Sequence, residues 1–187
     1  YSKENVEADI IKGWMPADFK VTIIFVDNED VFTEELLAKD FTHVIHSGSE
    51  LMVPDIAPRA QKLHWFMQAL SKARVSQYGI CFGHQALSAS FGGLDTIRRK
   101  PNGPELGWMD ITFTDHAQEI FGVGEVEVQF QHHTYEATQI PPGAALLATN
   151  AHTPVQGFIH HEHKIMGTQF HPEMNKEIGN EIFLEYR

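Results

Sequence analysis

Two hydrophobic periods alternate along the first half of the chain, and this alternation constrains the fold more than any other feature. Val21-Thr22-Ile23-Ile24-Phe25-Val26 and Thr42-His43-Val44-Ile45-His46 are short β-branched runs. They are closed by the turn-formers Asp27-Asn28 and Ser47-Gly48-Ser49, and both predict strands. From Pro58 to Arg74 the apolar positions Leu63, Phe66, Met67 and Leu70 recur at three and four, which predicts one face of an amphipathic helix. Val75 to Ile80 reads as a third strand, and His84 to Phe91 as a helix stopped by Gly92-Gly93. Strands alternating with helices imply a parallel sheet with helices on its faces, and such sheets bind ligands at the carboxyl ends of the strands.

The second half changes character. Trp108 to Phe113 and Val126 to Phe130 alternate, and Ala144 to Ala148 and Gln156 to His160 are short runs between Pro, Gly and Asn turns. They predict antiparallel strands added to the parallel core. Lys164 to Phe170 reads as the last strand and Asn175 to Tyr186 as a closing helix. The expected fold class is therefore α/β: an open, mostly parallel central sheet with helices on both faces plus added antiparallel strands. With 187 residues, no internal repeat and no long linker, a single domain over residues 1–187 is expected. Ser2 to Trp14 reads as a helix, and there is no initiator Met, so the first strand of the sheet is expected to be missing at the N-terminus.

Composition narrows the partners. Lys+Arg 14 against Asp+Glu 25 leaves a net charge of −11, so no basic face is available for nucleic acid. The lone cysteine, Cys81, allows no internal disulfide and fits a reducing compartment. No apolar run approaches the roughly 18–20 residues of a membrane span, and no signal pattern opens the chain. A cytoplasmic protein without membrane contact is expected.

Gly79-Ile80-Cys81-Phe82-Gly83 has the form G-x-nucleophile-x-G, following a strand and opening a helix. The glycines leave room for a tight turn that presents the side chain above the sheet. The helix behind it offers unpaired N–H groups and a positive dipole end, which favour a negative sulfur. The Phe82 N–H, next after the nucleophile, is placed to donate to an oxyanion. Alone, the motif leaves open the commoner fate of a free cysteine, a small buried apolar residue. His171-Pro172-Glu173 weighs against that, since it follows a strand and Pro172 keeps His171 extended, so that His171 and Glu173 project to one side. Cys81, His171 and Glu173 then form a nucleophile, a base and an orienter.

Gly79-Ile80-Cys81-Phe82-Gly83-His84-Gln85 and His171-Pro172-Glu173, in this order and about ninety residues apart, resemble the two signatures of the class I (triad-type) glutamine amidotransferases. The resemblance covers most of the chain. Phe25 to Ser49 is similar to the stretch ahead of the family's oxyanion glycine, with Thr33-Glu34-Glu35-Leu36-Leu37 as its helix. Gln131-His132-His133-Thr134-Tyr135-Glu136 and Ile140-Pro141-Pro142-Gly143-Ala144 are similar to a segment that reads Ser-His-Gly-Asp and then Leu-Pro-Pro-Gly in the GMP synthetase branch. The resemblance implies a flavodoxin-like sheet and hydrolysis of the L-glutamine side-chain amide, with no cofactor and no metal. Cys81 would attack, His171 would carry the proton, and Glu173 would orient His171. Gly48 and Phe82 would supply the oxyanion hole, while Gln85, Ser49 and the backbone of His132, His133 and Thr134 would hold the substrate. No nucleotide-activating P-loop is present, so an ammonia-using synthetase would be a separate partner chain. Two departures bear on specificity: Ser47-Gly48-Ser49-Glu50 replaces a Gly- or Pro-rich oxyanion loop, and Thr134-Tyr135 replaces Gly-Asp.

Other readings compete. The same triad with a wider acyl pocket would serve a stand-alone hydrolase of γ-glutamyl amides or peptides. A catalytically silent regulator on the same fold is disfavoured by the intact residue set. A metal site at His160-His161-Glu162-His163 with His132-His133 is disfavoured because adjacent strand residues point to opposite faces. That histidine cluster reads as a solvated turn, Arg98-Arg99-Lys100 as a solvated loop, and Trp14, Trp65 and Trp108 as packing residues.

Overall fold

The computed structural model describes residues 6–25, 29–49, 53 and 61–186. Helix α1 (Val6–Trp14) and the short α2 (Glu34–Leu37) precede β1 (His43–His46), and α3 (Gln61–Lys72) leads to β2 (Ser76–Ile80). After α4 (Phe82–Gly92) come β3 (Ile97–Arg99), β4 (Glu105–Phe113), α5 (Asp115–Phe121) and β5 (Val126–His133). The chain ends through β6 (Tyr135–Ala137), β7 (Ala145–Thr149), β8 (Gly157–His160), β9 (Ile165–Thr168) and α6 (Lys176–Tyr186). Seven strands form one sheet in the order β1-β2-β9-β8-β7-β4-β5, and β3 pairs with β6 in a separate ribbon.

The α/β class stands, but the sheet is mixed rather than mostly parallel. β1 with β2 and β2 with β9 are parallel, whereas β9-β8, β8-β7, β7-β4 and β4-β5 are all antiparallel. Chain connectivity is the reason. α3 fills the crossover that a parallel β1-β2 pair requires, while β8 and β9 are joined by a tight turn that returns the chain antiparallel.

Helices cover both faces. Leu63, Phe66, Met67 and Leu70 of α3 are all buried, so the three-and-four spacing becomes the contact face. Met67 and Leu63 join Ala86, Leu87, Phe158 and Ile165 in the main core, and each large apolar side chain there stabilises the fold by roughly 1.5–3 kcal/mol. On the opposite face Ile11 of α1 packs with Ile80 and Cys81. α6 lies over β4 and β5, where a side chain at Gly179 would collide with the Trp108 and Phe130 rings.

Several expectations change. Residues 21–25 form no strand, and Val21, Ile23 and Phe25 are exposed. A β-branched run becomes a strand only where a ladder partner takes its backbone groups, and none does so among the described residues. Val26, Asp27 and Asn28 lie outside those residues, as do Ser2 to Asn5 and Pro58 to Ala60 of the predicted helices. Arg98 and Arg99 belong to β3 rather than a solvated loop, and Lys100 after them is buried. Trp14 and Trp65 are 47% and 39% exposed, so of the three tryptophans it is Trp108 that packs within the fold, on Phe130 with its indole donating to Asn180. His160 is buried and bonded to the Pro142 carbonyl rather than solvated.

Two histidines are held neutral by their positions. Burial pushes the His84 imidazole down to about 3, opposed in part by the backbone of Gly167. Burial likewise pushes His46 down to about 4, opposed by its hydrogen bond with Gln77. As pH falls below the ordinary value of 6.5, the unfolded chain takes up protons at both sites and the folded chain does not. Folding stability contributed by these two residues is thus fully present above about pH 6.5 and lost as the pH falls toward about 4 for His46 and about 3 for His84. Each of the two histidines contributes a slope of up to about 1.4 kcal/mol per pH unit. Urea unfolding at stepped pH checks this, and His84→Gln should flatten the dependence.

Candidate active site

The three parallel strands end side by side. His46 is in register with Gly79, Gly79 with Gly167, and Ile80 with Thr168. The loop 47–49, the turn at Cys81 and the segment from Gln169 therefore leave the sheet at one edge, where an α/β sheet collects its functional groups.

Cys81 has φ 50° and ψ −101°, a conformation that L-residues rarely hold. Two close approaches impose it. A side chain at Gly79 would collide with the Gly83 carbonyl, and one at Gly83 with the His46 carbonyl. The glycines thus let β2 reverse into α4 and let α4 rest against the end of β1. Phe82 opens α4, where first-turn N–H groups lack intrahelical acceptors. Gly48 and Ser49 follow β1 in the neighbouring loop, Gly48 half-buried and Ser49 exposed.

His171 is fixed by its backbone N–H, which donates to the Phe130 carbonyl of β5 at 2.9 Å, and by Glu173, whose Oε1 lies 2.5 Å from His171 Nδ1. Both side chains are buried. Burial opposes charging the imidazole, but Cys81, through its charge and hydrogen bonding, and then Glu173 outweigh it and hold His171 well above its ordinary value. The other ring nitrogen, Nε2, has no partner of standard hydrogen-bond geometry among the described residues. Its natural acceptor is the nearby sulfur, at a geometry looser than a full hydrogen bond, as resting active sites often show. Tyr78 bonds Thr168 at 2.7 Å, and burial, with the Glu173 charge adding to it, raises its phenol above the usual range.

The third wall comes from the end of β5. Cys81 Sγ donates to the His132 carbonyl at 3.6 Å, so the His132 backbone lies against the sulfur, while the His132 ring meets that of Tyr186 at a tilt. The His133 side chain turns away, with Nε2 3.0 Å from Glu105 Oε2 and Nδ1 2.8 Å from the Tyr135 carbonyl. The Thr134 carbonyl accepts from the Lys100 N–H. Gln85 is buried, and its amide donates to the Tyr135 carbonyl at 2.8 Å and to Gln169 Oε1 at 3.0 Å.

Behind this wall lies a buried charge network that the sequence does not reveal. Lys100 Nζ is 3.1 Å from Glu105, 3.3 Å from Glu136 and 2.6 Å from Thr153 Oγ1. Burial opposes ionising Glu105, but His133, Thr153 and Asn150 hydrogen bonds outweigh it and hold its carboxyl far below the usual range. The sequence around Lys100 carries no signal of this network, since Arg98-Arg99-Lys100 reads as a solvated loop. Among the described residues no three His, Cys, Asp or Glu side chains are grouped as a metal ion requires, and no helix is long and apolar enough to cross a membrane.

The sheet thus carries a cysteine on a glycine-bounded turn beside a histidine–carboxylate pair, the residue types that thiol-dependent acyl transfer uses. The chain belongs to the glutamine amidotransferase class-I family, a family of enzymes, whose model matches residues 3–185. Among curated relatives it is GMP-synthase-like. It is 29% identical to one of the subunits of the glutamine-hydrolysing GMP synthase of Sulfolobus acidocaldarius, over 84% of this chain and 80% of that one. It is 33% identical to the corresponding GMP synthase subunit of Saccharolobus solfataricus, over 82% and 78%. A solved glutamine amidotransferase from Thermotoga maritima superposes with a TM-score of 0.67 at 22% identity, covering 79% of this chain and 63% of that one, and so shares the fold.

Proposed function

We propose that the chain hydrolyses the side-chain amide of L-glutamine through Cys81, His171 and Glu173, by way of a γ-glutamyl thioester, and delivers the ammonia to a separate GMP-synthetase-like chain. The observation that carries this reading is the 2.5 Å contact of His171 with Glu173, on an imidazole whose charge is favoured by the Cys81 sulfur. Cys81 Sγ forms a bond to the amide carbon, and the carbonyl electrons move to an oxyanion held by the N–H groups of Phe82 and Gly48. His171, protonated by the thiol, gives that proton to the leaving nitrogen and ammonia departs. His171 then takes a proton from water, whose oxygen attacks the thioester, and glutamate leaves as the sulfur regains its proton. Glu173 holds the imidazole in the tautomer this cycle needs. Gln85, Ser49 and the backbone of His132, His133 and Thr134 border the space for the amino-acid end of the substrate.

The naming of the relatives as single subunits of a synthase supports a partner chain for this one. The test measures ammonia and glutamate released from L-glutamine, alone and with the synthetase component of a two-chain GMP synthase, against a panel of γ-glutamyl amides and peptides. Turnover of glutamine that rises with the synthetase supports the reading. Preference for γ-glutamyl peptides, unchanged by the synthetase, would replace it with a stand-alone hydrolase.

A further inference from the structure

We infer that Gln169 acts directly on the nucleophile: its side-chain amide, locked in one orientation by Gln85, donates a hydrogen bond to the Cys81 sulfur and supports it once its proton has left. The lock begins at a backbone oxygen. A carbonyl only accepts, so the 2.8 Å contact with the Tyr135 carbonyl requires the amide nitrogen of Gln85 to face it. The second hydrogen of that nitrogen points to Gln169 Oε1 at 3.0 Å. With its oxygen engaged there, Gln169 must turn its nitrogen toward Cys81, and Nε2 lies 3.7 Å from Sγ, a normal separation for a sulfur acceptor. The Gln169 backbone N–H donates to the Gln156 carbonyl at 2.9 Å, which holds the residue in place. Gln169 is fully buried and Gln85 nearly so, so water does not compete for these groups.

Two contacts of the sulfur back opposite protonation states. The His132 carbonyl can only accept, so it favours the thiol, whereas the Gln169 N–H can only donate and is strengthened when the sulfur is charged. Gln169 thus offers the developing anion a fixed partner inside the protein at the moment His171 takes the proton. It stands two residues before His171, at the end of β9, so that a single turn of chain supplies both the base and this donor.

This inference rests on Cys81 being the nucleophile, but its test uses no glutamine, so failure of the substrate assignment leaves it standing. Iodoacetamide alkylation of Cys81 is followed from pH 6 to 10 in the wild type, Gln169→Met, Gln85→Met and the control Gln156→Met. Gln156 is as buried as Gln169, but its amide contacts Glu105 and Gln131. Gln169→Met should slow alkylation about ten-fold near pH 6.5, the size expected for losing a hydrogen bond to a charged group, and converge with wild type at high pH. Gln85→Met, which frees Gln169 to flip without removing it, should slow the reaction in the same direction and by less. Gln156→Met should follow the wild-type curve. Thermal melting reports folding, and Gln85→Met carries the test if Gln169→Met does not fold. The inference is overturned if the folded Gln169→Met matches wild type across the range, if Gln156→Met is slowed equally, or if Gln85→Met alone is available and alkylates at the wild-type rate.

Discussion

Cys81→Ala is expected to abolish ammonia release from L-glutamine, by about four orders of magnitude or more, because no other group can form the acyl intermediate. The change removes one sulfur atom from a residue that is 6% exposed at the edge of the Ile11–Ile80 contact, so the fold should survive. Circular dichroism and a melting curve close to wild type would establish that. Labelling by a glutamine-like electrophile, followed by peptide mass mapping, should mark Cys81 in the wild type and nothing in the variant. Retained turnover in a folded Cys81→Ala protein would remove the mechanism, since the strained turn and the nearby imidazole would then serve some other purpose.

The second large effect is on stability. Lys100→Met removes the cation that faces both Glu105 and Glu136, whose side chains are 3% and 0% exposed. Breaking a buried pair from one side costs about 3–5 kcal/mol where no other partner remains, and the low end, about 3 kcal/mol, is expected here. For a chain of this size that corresponds to a melting point lower by roughly 10 °C. Arg98, which reaches Glu136 at 2.8 Å from a half-exposed position, and His133, 3.0 Å from Glu105, relieve part of the loss on the two carboxylates. Adding Glu136→Gln to Lys100→Met should recover stability, a non-additivity expected of residues sharing one network. The exposed Lys62–Asp30 pair is the contrast: Lys62→Met should leave the melting point unchanged, as surface pairs generally do. A Lys100→Met melting point equal to wild type would mean that Arg98 and His133 alone compensate the two carboxylates.

How far the chain is legible depends on distance along it. Leu63, Phe66, Met67 and Leu70 write the buried face of α3 within three turns, and the Gly79 and Gly83 spacing writes the nucleophile turn within five residues. Pro172 likewise brings His171 and Glu173 together locally. Residues 21–25 carry a strand composition as clear as that of β1, yet composition cannot supply the ladder partner that makes a strand. β3 and β6 run the other way. Three residues each, two of them arginines in β3, are too short and polar to stand out, and pairing makes them strands.

Lys100, Glu105 and Glu136 look like ordinary surface charges because nothing in their neighbours along the chain says that they meet. Gln169 reads only as part of the last strand, for the same reason. Its partners Cys81 and Gln85 lie 88 and 84 positions away. By itself the amino-acid order determined the types of the main elements and the local shapes of the Cys81 turn and the His171–Glu173 hook, since these arise from periodicity, glycine clearance and proline restriction over a few residues. Only the tertiary structure decided the mixed sheet, the burial of the Lys100 network and the donor facing the sulfur. Those depend on which backbone carbonyls and charges remote segments bring within about 3 Å, and hydrogen bonding and ion pairing are too short-ranged to leave a mark on the sequence between them.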